Sequence, residues 1–236
     1  GFALADLMGL DYLGASRDDV EFFRPERDLA ADIPAMDHAL YDRGSAVRTR
    51  GGTETLGTVV SPYFSRTWAH FSSHAQTPPN PEHLPGLAAA TIHGQVAYLA
   101  HPLFRSYQAN GYPVYRQIVG ALLHRLLPEP LVRTNLPTTG EVTLLRQQPG
   151  ADGASPERLV CHLLHYVPQR RTPDLDLVED VIPLHDVQVE IRTGKAPSAS
   201  YLAPERTPLI ATMHGPYARF TVPVVHGHAM IVMEQG

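Results

Sequence analysis

The sequence predicts an α/β part followed by an all-β part, and three features carry that prediction. Between Pro102 and Leu127, apolar residues (Leu103, Tyr107, Tyr115, Ile118, Val119, Leu122, Leu123, Leu126) recur at helical spacing, the mark of an amphipathic helix. After Pro130 that period disappears and short runs with strand-like alternation continue to the end of the chain. Pro128-Glu129-Pro130 separates the two regimes, because proline lacks an amide donor and restricts the residue before it. The predicted domains are residues 1–130 and 131–236.

Taken in order, Phe2, Leu4, Leu7 and Met8 predict a short helix ended by Gly9. Loops with a strand or two follow over 11–50. Residues 54–60 read as a strand, and 91–99 as a strand pair turning at His93-Gly94. Between them, Ser61–Pro85 is a long connection holding five prolines (62, 78, 79, 81, 85). A loop of that length in a compact domain is usually functional or disordered. The helix over 102–127 is broken near Gly111 and Pro113. Beyond Pro130, strands are predicted at 131–134, 141–146, 158–166, 187–192, 199–203, 209–212, 218–222 and 229–233. Val187, Val189 and Ile191 alternate with Gln188, Glu190 and Arg192, giving one buried and one wet face. Leu159-Val160-Cys161-His162-Leu163-Leu164 is apolar on both phases except at His162 and reads as a central strand. About eight short strands without helical period predict a β-sandwich.

Composition bounds the function. The chain has 236 residues, 43% hydrophobic and 18% charged, a globular composition. At this length about 70–75% of the unfolded surface can be buried, so neither disulfide nor metal is needed for folding. The net charge of −5 argues against nucleic acid or an acidic membrane as the main partner. No window approaches the ~18 apolar residues of a membrane span, and no signal peptide opens the chain, so a cytoplasmic location is expected. Lys195 is the one lysine among 19 basic residues, a bias expected of a GC-rich bacterial genome. The chain opens on Gly1 directly within a helical pattern, which predicts the C-terminal part of a longer polypeptide, with a processed or trimmed chain as the alternative.

Several residues invite a chemical reading. His70 and His74 would share a face if helical, as zinc ligands do, yet no H-E-x-x-H glutamate or third ligand accompanies them. A solvated or ligand-facing loop pair is the better reading, and no metal or cofactor is expected. His162 and His165 point to opposite faces of a strand, while His226 and His228 share one; all are read as structural. Cys161, mid-strand in an apolar run, is read as buried filler rather than a nucleophile. Asp174, Asp176, Glu179 and Asp180 lack the spacing of a calcium loop. Gly51-Gly52 is a turn, and neither a phosphate-cradling loop nor a G-x-S-x-G elbow occurs. Tyr63, Arg66, Trp68, His70, His74 and Gln76, on one loop, are side chains that stack on and hydrogen-bond a sugar or anchor an interface. The alternative is that Trp68 and Phe71 pin the loop to its own domain.

The segments Phe2–Leu10, Glu54-Thr55-Leu56-Gly57-Thr58-Val59 and Gly94–Leu99 resemble the second half of the trimerisation domain of glycoside hydrolases related to the family 42 β-galactosidases. That domain is similar to class I glutamine amidotransferases, so the resemblance implies a partial flavodoxin-like fold over residues 1–127. Pro62–Phe71 through Pro79 looks like an insertion of a less characterised branch. Leu163–Pro168 and Gly227–Val232 resemble the C-terminal β domain of the same branch. In true amidotransferases a strand ends in His-Pro-Glu. Here it ends His101-Pro102-Leu103, which implies a degenerate site whose imidazole has lost the carboxylate that fixes its tautomer. Glycoside hydrolysis needs two carboxyls about 5–10 Å apart, and the family carries them on an upstream barrel. The implied function is a non-catalytic region that supports a homo-oligomer and the rim of a carbohydrate site. A self-sufficient metallo-hydrolase using His70 and His74, or a carbohydrate-binding module in the β part, are the alternatives.

Overall fold

A computed structural model describes residues 2–27, 29–149 and 156–235. The chain divides into two compact units, Gly1–Glu129 and Pro130–Gly236.

In the first unit, in chain order, lie α1 (Ala5–Met8), β1 (Leu10–Ala15), β2 (Glu21–Pro25), α2 (Leu29–Asp32), β3 (His38–Leu40), β4 (Ser45–Thr49), β5 (Glu54–Val60), β6 (Ala88–His93), β7 (Val96–Leu99), α3 (Leu103–Asn110) and α4 (Pro113–Leu126). Gly9 ends α1 at φ 62°, and its amide returns to the carbonyls of Ala5 and Asp6. Pro113 stands in the first turn of α4, where its missing amide costs nothing, and His124 and Arg125 sit in the last turn, where cations suit the helix dipole. Five strands form one sheet in the order β3-β2-β5-β6-β7. Phe23, Leu56, Val59 and Ala90 of that sheet share a core with Leu103, Val114, Tyr115, Ile118 and Leu122. Tyr115 is fully buried, its hydroxyl donates to the carbonyl of Ala39 at 2.8 Å, and burial pushes its phenol up to about 12. The pair β1–β4 packs separately through Leu10, Val47, Ala88 and Ala100.

The flavodoxin-like expectation needs correction here. Among the described residues every pairing in this unit is antiparallel, whereas a flavodoxin-like layer requires parallel strands joined by helical crossovers. β6 and β7 instead meet through a tight turn at Gly94-Gln95.

The second unit contains β8 (Val132–Thr134), β9 (Gly140–Gln147), β10 (Arg158–His165), β11 (Gln169–Thr172), β12 (Leu175–Leu177), β13 (Leu184–Arg192), β14 (Ala199–Ala203), β15 (Thr207–Pro208), β16 (Thr212–His214), β17 (Tyr217–Val225) and β18 (His228–Glu234). One sheet runs β15-β14-β18-β10-β9 and the other β16-β17-β13-β8, all antiparallel. They enclose a single core. Cys161, Leu163, Ile231 and Met233 enter it from the first sheet; Val187, Val189, Ile191, Ala218, Phe220 and Val222 enter from the second. The alternation of β13 thus places its apolar phase inside the sandwich. Two departures from the sequence reading stand out. The strand expected at 209–212 is instead the crossing from β15 in one sheet to β16 in the other. The hairpin β11–β12 had no sequence signal at all.

Candidate functional site

The loop that follows β5 is built outward from a fixed base. Pro62 and Pro79 form an isolated antiparallel bridge, and the amide of Asn80 donates to the carbonyl of Ser61 at 2.8 Å. The Thr77 hydroxyl donates to the Phe64 carbonyl at 2.8 Å, and Ser65 Oγ donates to Asp18 Oδ1 at 2.5 Å. These bonds close the loop below its tip. They leave a cavity of about 80 Å³ lined by Asp19, Phe64, Arg66, Gln76 and Thr77, smaller than the ~300–1,000 Å³ of a typical ligand site. A shallow groove of about 470 Å³ beside it is lined by Phe22, His74, Gln76, Thr77 and Pro78, and this one falls within that range.

The tip carries the aromatic side chains. Trp68 is 97% exposed, Phe71 71% and Tyr63 58%, so Trp68 and Phe71 do not pin the loop to its own domain. Arg66 lies over the Phe71 ring at 5.3 Å, within cation–π range, and its Nη1 reaches the Ala75 carbonyl at 3.3 Å. His70 meets the Phe64 ring at 5.8 Å between centroids. Among the described residues, Trp68 has no ring partner. The structure therefore joins Arg66 to Phe71 and His70 to Phe64, sets His74 on the groove, and leaves Tyr63 and Trp68 facing water.

His70 and His74 lie in bends rather than on a helix, so the shared-face geometry of a zinc pair does not arise. Among the described residues, no group of three His, Cys, Asp or Glu side chains comes together to hold a metal. Cys161 is fully buried, and burial pushes its thiol up to about 12, which removes it as a nucleophile. Asp176 and Glu179 pair with Arg170 and Arg171 on the exposed hairpin. His165 is satisfied within the protein: its Nδ1–H donates to the Ile182 carbonyl at 3.2 Å and its Nε2 accepts from Thr139 at 3.1 Å.

His101 differs from its expected state. The expected loss of a carboxylate partner is not what the ring shows. Its Nε2–H donates to Glu21 Oε2 at 2.8 Å, with both side chains buried. The opposite nitrogen, Nδ1, is buried without a hydrogen-bond partner. A Cβ added to Gly44 would lie 2.6 Å from the Ala100 carbonyl and 2.7 Å from the imidazole, so this close approach requires glycine. Nearby, the Ser106 hydroxyl and then Arg105 hold the Asp42 carboxyl below the usual carboxylate range. Glu21, Asp18 and Phe71 escaped the sequence reading as partners of these groups. For Glu21 no local signal could have found it, because it is 80 positions from His101.

No protein-family profile matches the chain, and no curated protein matches it. A solved structure does: α-L-fucosidase isoenzyme 2 from Paenibacillus thiaminolyticus, with a TM-score of 0.87 and 29% sequence identity over 97% of this chain. The chain spans 34% of that protein's length. No helix among the described residues is long and apolar enough to cross a membrane. The neighbour is a fucosidase and not a family 42 β-galactosidase, so the β-rich chain is related in fold to a region of a glycoside hydrolase without being tied to that branch.

Proposed function

We propose that this chain is the non-catalytic C-terminal region of a carbohydrate-active glycoside hydrolase whose active carboxylates lie on an upstream barrel. In this reading the loop over 61–85 contributes to the rim of the sugar site and to contacts between copies of the chain. One observation carries it: Trp68, 97% exposed, stands at the tip of a loop whose base is closed by its own hydrogen bonds. Burying an indole is worth about 4–6 kcal/mol of apolar contact, and none of the described residues of this unit covers the ring. Arg66, His74 and Gln76 supply the polar groups that would orient a saccharide against such a ring.

The name of the structural neighbour makes an α-L-fucoside the first substrate to try. In the whole polypeptide, Trp68→Ala is expected to raise the KM for an aryl α-L-fucoside about tenfold, or to dissociate the oligomer, with an unchanged circular dichroism spectrum. Unchanged KM and unchanged oligomer mass would contradict the reading.

A further inference from the structure

The proposed function leaves one side-chain cluster in the second unit unused. β10 and β18 are neighbours, and their register sets His162 opposite Met230 and Leu164 opposite His228. Cys161, Leu163, Ala229 and Ile231 turn into the sandwich core, so the alternate residues His162, Leu164, His228 and Met230 share the outer face. There His162 Nδ1 lies 3.0 Å from His228 Nε2, with the ring planes 8° apart and the centroids 5.3 Å apart. One nitrogen donates and the other accepts, so at least one lone pair is presented at this point.

Two imidazoles on one tetrahedral ion, with bonds of about 2.0–2.1 Å, hold their ligating nitrogens about 3.3–3.4 Å apart. The observed gap is a few tenths of an ångström shorter. His228 is exposed and His162 half-buried, so rotation of His228 can open the pair. Met230 stands directly across from His162, and a thioether is a soft ligand that favours Cu(I). Of the other groups on this face, Thr143 lies opposite His162 and Glu141 opposite Leu164 on β9. Arg158, at the far end of β10, is paired with Glu234 at 3.4 Å.

We propose that His162 and His228, with Met230 beside them, form a binding site for a soft first-row transition-metal ion, Cu(I) ahead of Zn(II). On binding, the donating ring transfers the proton of the N–H···N bond to its outer nitrogen by tautomerisation. The ion then meets two neutral imidazoles with no net proton released. The site is independent of the loop and of the sugar reading.

The test is an anaerobic titration of the full chain with Cu(I) against a chromophoric chelator, repeated with Zn(II). One equivalent of Cu(I) is expected to bind. His162→Gln and His228→Gln should each weaken it at least about tenfold, while His185→Ala, an exposed histidine on the other sheet, should leave it unchanged. Met230→Leu should weaken Cu(I) but not Zn(II). Thermal melts confirm that each variant folds. Failure of the parent chain to bind one equivalent of Cu(I), or a Cu(I) affinity left unchanged by either glutamine substitution or by Met230→Leu, overturns the proposal.

Discussion

Glu21 and His101 show how much a single buried contact can decide. The carboxylate sits at the start of β2 and the imidazole just after β7; each is nearly sealed from water, and they meet at 2.8 Å. Breaking such a pair leaves a buried polar group without its partner, at about 3 kcal/mol or more. Glu21→Ala is therefore expected to lower the unfolding free energy by about 3 kcal/mol in urea titrations. Glu21→Gln keeps an oxygen that can accept from Nε2–H and should cost less than about 1.5 kcal/mol. A loss below about 1 kcal/mol for the alanine variant would show that the pair does not hold this end of the sheet. The same residues show where sequence reading stops: the residues that follow His101 hold no carboxylate, and the one that meets its ring lies in another strand, 80 positions away.

At the scale of elements, legibility followed burial. α3 and α4 were readable because Leu103, Tyr115, Ile118 and Leu122 mark one buried stripe, and Gly111 and Pro113 punctuate the break between the helices. β5 was readable from Leu56, Val59 and Val60. β13 was readable because Val187, Val189 and Ile191 alternate against polar residues. The hairpin β11–β12 was not readable, since all of its residues are exposed and no face had to be apolar. The run Leu209-Ile210-Ala211 misled for the opposite reason. Leu209 is buried, yet it plugs the edge of the core while the chain passes between sheets, and burial alone does not distinguish that from a strand. Hairpin turns defeated the parallel-sheet expectation: strand content was visible in composition, but strand direction depends on connections that a local pattern does not encode. The loop over 61–85 stood out by length and proline content, while the exposure of its tip depended on Asp18 and Thr77 closing its base.

For the whole molecule, the chain has separate cores in its two units, and its own chemistry provides a probe for each. All helices among the described residues lie in the first unit, so the helical ellipticity reports on that unit. The one cysteine, Cys161, is fully buried in the sandwich of the second unit, with its thiol pushed up to about 12 by burial. Labelling it requires both exposure and the lower thiolate pKa of an unfolded chain, so thiol reactivity reports on the second unit. Trp68 is already hydrated and its fluorescence should change little. If each core sustains its own unit, residues 130–236 expressed alone should protect Cys161 as well as the full chain does. For a domain stable by about 5 kcal/mol, labelling should be slower than in the unfolded chain by a factor of about 10³–10⁴. In the full chain, loss of ellipticity and gain of thiol reactivity should then have different midpoints in urea. Coincident midpoints, together with a fragment whose thiol reacts at once, would show instead that the second core is completed by the first unit.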